Sequence, residues 1–75
     1  MTRKILKNLI AQAEQERQKY ALKKTLLDGI YYHNYNLSYT LEIKIRVERE
    51  QVGRMISYYH GLINGYISAL YLMRE

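Results

Sequence analysis

The sequence predicts a mainly α protein. Two long amphipathic helices, at about 2–28 and 48–74, are joined by a Tyr/Asn-rich loop and a short strand-like segment at 39–47 that pairs across a dimer. Three observations lead there. Proline is absent and the first glycine is Gly29, so nothing breaks the N-terminal third. Apolar residues recur at helical spacing toward both ends of the chain, and between those stretches the apolar period shortens to two. The competing architecture is an all-α antiparallel helical hairpin whose second helix begins near 38.

The first helix takes its apolar stripe from Leu6, Leu9, Ala13, Tyr20, Leu27 and Ile30, which recur close to a heptad spacing. Thr2 supplies an N-cap, and Asp28-Gly29 is the expected stop, because glycine accepts the left-handed conformation that closes many helices. Glu16 and Lys23 interrupt the stripe, so mid-helix is expected partly in solvent or against a polar partner. From Ile30 to Ser38 periodicity fails, and Asn34 and Asn36 supply turn chemistry. Tyr31, Tyr32 and Tyr35 crowd this connection, either as a half-buried lid over the helix packing or as an aromatic recognition surface.

In the next segment Tyr39, Leu41, Ile43, Ile45 and Val47 alternate with Thr40, Glu42, Lys44, Arg46 and Glu48. Four β-branched residues in eight positions disfavour a helix by a few tenths of a kcal/mol each, and strict alternation favours a strand. The helical alternative puts Leu41 and Ile45 on the stripe of the last helix. That helix carries Val52, Met55, Ile56, Tyr59, Leu62, Ile63, Tyr66, Ile67, Leu70 and Met73 at helical spacing. Gly53, Ser57, Gly61, Gly65 and Ala69 form a second row, each four residues from the last. An interior glycine costs about 1 kcal/mol relative to alanine, so this row predicts close approach by a neighbouring subunit, with Ile43 and Val47 in the same oligomer interface.

Composition narrows the function classes. With 75 residues, residues 1–75 make one small helical domain at most, and a core of that size rarely suffices alone. There is no cysteine, so neither a disulfide framework nor a thiolate zinc site is available, and the expected remedy is obligate homo-oligomerisation. No metal or cofactor is expected. His33 and His60 are the two candidates for general acid–base work, and neither lies in a motif. No phosphate-cradling glycine loop is present. The expectation is a non-enzymatic protein.

The net charge of +5 is carried by the N-terminal helix, through Arg3, Lys4, Lys7, Arg17, Lys19, Lys23 and Lys24 against Glu14 and Glu16. An anionic partner is expected to meet these residues, which gives the alternative function: a DNA-binding accessory or regulatory protein. A membrane span over Met55–Met73 has sufficient length, but Ser57, His60, Asn64 and Ser68 are polar and the tyrosines are not gathered in two belts. A small membrane protein is therefore the weaker reading. The apolar run Leu9-Ile10-Ala11 is too short for an export signal, so the chain is read as cytoplasmic.

Eight isoleucines and nine tyrosines, beside missing Cys, Trp, Phe and Pro, suggest AT-rich coding. In that composition the chain resembles short proteins of bacterial phages and plasmids, which implies a small regulator or inhibitor. The leading expectation is a homo-oligomeric protein–protein interaction module that meets itself and another protein.

Overall fold

The computed structural model describes residues 2–33 and 36–73. It consists of two helices, α1 (Arg3–His33) and α2 (Tyr39–Leu72), packed along their lengths as a hairpin. The molecule is a rod of 57 × 14 × 13 Å, one helix pair thick.

Thr2 caps α1 as its sequence position predicts, accepting from the Ile5 N–H through Oγ1 at 3.2 Å. Asp28-Gly29 does not stop the helix, which runs one turn further to His33. The reason lies in the tertiary contacts of that turn. Tyr31 packs on the core cluster around Leu27, and Arg49 of α2 donates to the Tyr32 hydroxyl and lies over both rings, so continuing the helix keeps contacts that a left-handed Gly29 would break.

The strand at 39–47 is not formed. Those residues are the first turns of α2, so the hairpin with a second helix starting near 38 is the architecture adopted. Ser38 explains much of this. Its backbone is extended (φ −66°, ψ 155°), its Oγ accepts from the Leu41 N–H at 3.2 Å, and its carbonyl accepts from the Glu42 N–H at 2.9 Å. Glu42 adds a negative charge in the first turn, where the helix dipole favours it. A cap contributes about 1 kcal/mol, which matches the summed propensity penalty of the β-branched residues. Burial decides the rest. Ile45 falls to 5% exposed against Leu27 and Val52, whereas Ile43 and Val47, which a strand would place on its face, point outward.

The core is a single seam. Leu27, Ile45 and Val52, flanked by Tyr20, Tyr31, Leu37 and Ile56, make the cluster near the closed end, and Leu6, Ala13 and Ile63 are buried toward the open end. Between them Tyr20 stacks on Tyr59 at 5.9 Å and Tyr59 on Tyr58 at 5.0 Å. Burial pushes the Tyr59 phenol up, and the Glu16 carboxylate adds to the shift.

Replacing Ile45 with Ala is expected to lower stability by about 2–5 kcal/mol, and Ser38→Ala by about 1 kcal/mol. Urea unfolding followed by circular dichroism measures both, and an unaffected Ile45→Ala chain would show that residues 39–47 do not pack as this helix.

Candidate functional site

At 3.6 residues per turn, the seam takes one side of α2 and leaves the opposite side without cover. Ile43, Val47, Ser57, Gly61, Gly65 and Leu72 all lie on that outward side and are exposed. The row of small residues crosses it obliquely, because steps of four advance 40° past each full turn. Gly53 begins half-buried at one flank, Gly61 points directly away from α1, and Ala69 ends half-buried at the other flank.

The glycines have no role inside the single chain. A Cβ added at Gly53, Gly61 or Gly65 meets nothing within 4 Å, and none of the three has the positive φ that excludes side chains. Each therefore costs about 1 kcal/mol of helix stability relative to alanine without admitting α1 any closer. The expected oligomer-interface residues, Gly53, Ser57, Gly61, Gly65, Ala69, Ile43 and Val47, thus belong to the outward face and its flanks, on the helix opposite the hairpin seam.

At the closed end, the tyrosines expected to form a recognition surface are engaged by the chain itself. The Arg49 guanidinium donates to Asp28 Oδ1 at 2.6 Å and to the Tyr32 hydroxyl at 3.2 Å. It lies 4.5 Å from the Tyr31 ring centre and 4.9 Å from that of Tyr32, and the two rings meet edge to face at 5.1 Å. Tyr31 packs on the core cluster while Tyr32 remains exposed. Tyr35 lies outside the described residues, as does Asn34. Hydrogen bonds from Arg49 first and Lys24 second hold the Asp28 carboxyl below the usual carboxylate range. The signal for this clamp was the lone aspartate of the chain, placed on the inner edge of α1, but its partner on α2 required the hairpin register.

The seven cations of α1 do not form one row. Arg17, Lys19 and Lys24 pair with Glu14, Glu16 and Asp28 at 2.9, 3.1 and 3.2 Å. Arg3, Lys4, Lys7 and Lys23 enter no ion pair among the described residues, and Lys23 lies about 24 Å along the helix from Lys7 by axial rise. Exposed i,i+3 and i,i+4 pairs are worth little, so the three paired cations are masked only in part.

His33 and His60 are exposed, and the Asp28–Arg49 register separates them by about 24 Å along the rod. No group of three metal-ligating side chains occurs among the described residues. A groove of ≈ 470 Å³ between Tyr20, Lys23, Glu48, Gln51, Arg54 and Met55 is open along its side. No helix among the described residues is long and apolar enough to cross a membrane. Comparison with protein-family models, with curated proteins and with solved structures finds no match to this chain.

The clamp gives a pH prediction. Because the folded carboxyl titrates below its unfolded value, the stabilisation by Asp28 is complete above about pH 4 and is lost as pH falls through the folded value. Asp28→Asn is therefore expected to be less stable than the parent at neutral pH and equal to it in strong acid. Urea midpoints across that range provide the measurement, and a difference that grows on acidification would refute the clamp.

Proposed function

We propose that this chain is a non-enzymatic, homo-oligomeric interaction module whose copies meet through the outward side of α2. One observation carries the reading. From Met55 to Met73 α2 has no Lys, Arg, Asp or Glu on any side, although α1 covers only one. A helix facing water ordinarily places charge on its free side, and one that lacks it is ordinarily covered on both.

The surface area points the same way. A compact monomer of 9.0 kDa exposes about 4,850 Å², against 5942 Å² for the hairpin. The excess, on the order of 1,100 Å², is comparable to the roughly 800 Å² that each partner contributes to a standard interface. Ile67, Tyr71 and Leu72 are 47%, 79% and 80% exposed, while only six hydrophobic residues among those described are buried. Gly61 and Gly65 would let a neighbouring backbone approach closely, which gives their helix penalty a compensating return.

The likeness in composition to short phage and plasmid proteins supports reading such a module as a regulator or inhibitor of a larger assembly, with α1 turned to that second partner. Nucleic acid is the weaker candidate for that role, because three of the seven α1 cations already pair within the chain and Lys23 stands about 24 Å along the helix from Lys7, which leaves Arg3, Lys4 and Lys7 as one small group.

Light scattering coupled to size separation is expected to return a mass of at least two chains at micromolar concentration, falling toward one chain on Gly61→Leu. A single-chain mass for the parent protein would remove this reading.

A further inference from the structure

If copies meet through the outward side of α2, the distribution of residue types along that side selects one arrangement. Its two ends are apolar, with Ile43 and Val47 at one and Tyr71 and Leu72 at the other. Its centre carries Ser57 and Gly61 beside the exposed ring of Tyr58, and its charges, Lys44, Arg46, Glu50 and Arg54, lie in one half, where Glu50 and Arg54 pair within the chain at 3.8 Å. We propose that two copies pair with their α2 helices antiparallel, about a two-fold axis beside residues 57–61. This rests on the reading of the chain as a self-associating module.

Two arguments favour that orientation over a parallel pair. In a parallel, in-register pair each residue meets its own copy, so Glu50 would lie on Glu50 and Arg54 on Arg54, like charges along the contact line. About the two-fold axis, residue 57 faces 61, so Arg54 faces Asn64 and Glu50 faces Ser68, neutral side chains that accept or donate hydrogen bonds. The apolar ends then cover one another, Val47 of one copy against Tyr71 and Leu72 of the second, while the small residues meet at the crossing. Antiparallel helix dipoles also attract where parallel ones repel.

The second argument comes from α1. Arg3, Lys4 and Lys7 lie at the open end of the hairpin without ion-pair partners among the described residues, at the positive end of their own helix dipole. A parallel pair would bring two such clusters to one end. The antiparallel pair sets them at opposite ends of a rod 57 Å long, well beyond a Debye length of about 8 Å.

The uncharged stretch Met55–Met73 of one copy is then opposed by residues 45–63 of the other, a cover that a parallel pair would equal. Both termini of each α1 stay outside the contact.

The absence of cysteine gives the test a clean background. Val47→Cys and Leu72→Cys are made singly in the full chain, checked for helix content, and treated with a short bismaleimide alone and as a mixture. The proposal expects cross-linked dimer in the mixture and monomer in either variant alone. Cross-linking of Val47→Cys or Leu72→Cys with itself would establish a parallel pair and overturn it. Absence of any cross-link in variants that light scattering shows to be dimeric would place the contact elsewhere and overturn it too, leaving the self-association reading intact. A single-chain mass would remove both, and leave the outward side to a partner of another kind.

Discussion

Two helices can cover each other on one side only, and this constraint governs the rest of the molecule. Each helix offers a stripe about 100° wide to its neighbour, so the buried set reduces to a seam: Leu6, Ala13 and Leu27 from α1, and Ile45, Val52 and Ile63 from α2. Larger side chains are only half-buried there. Tyr20 and Tyr59 extend the seam by stacking. No charged or polar side chain is buried among the described residues. Specificity therefore falls on hydrophobic register, caps and the Arg49 clamp at the closed end.

That clamp ties the connection to the seam. Arg49 answers the charge of Asp28 while its plane lies over Tyr31 and Tyr32, so a single side chain fixes the last turns of α1 against the second and third turns of α2. The guanidinium suits this because it donates in a plane and stacks through its faces at once, which an ammonium does not. The same contacts carry α1 beyond Gly29, a residue that by itself favours stopping there.

The helices were legible wherever one period ran without interruption. Thr2 as a cap, the stripe Leu6–Ala13–Leu27 and the stripe Val52–Ile63 all follow from local pattern and are found in place. Residues 39–47 misled because Ile43, Ile45 and Val47 satisfy a period of two and Ile45 alone also satisfies the period of α2. Local propensity could not choose between them, and the decision came from Ser38 and from Leu27 across the seam. Gly29 misled for a related reason, since the contacts that override it are tertiary. Of the site, the row of small residues was readable from spacing. The capture of Tyr31 and Tyr32 by Arg49 was not, because it joins residues 17 and 18 positions apart whose meeting depends on the hairpin register.

The outward side of α2 is where the single chain is least complete: three glycines without local use, four exposed apolar side chains at its ends and a surface larger than the mass requires. If association supplies the missing cover, folding and assembly are linked, and mass action makes apparent stability rise with protein concentration. The direct test is the thermal unfolding midpoint recorded from micromolar to millimolar chain. The account predicts a midpoint that climbs steadily with concentration. A midpoint that stays constant across the range would mean that the lone hairpin is the stable unit, and would contradict it.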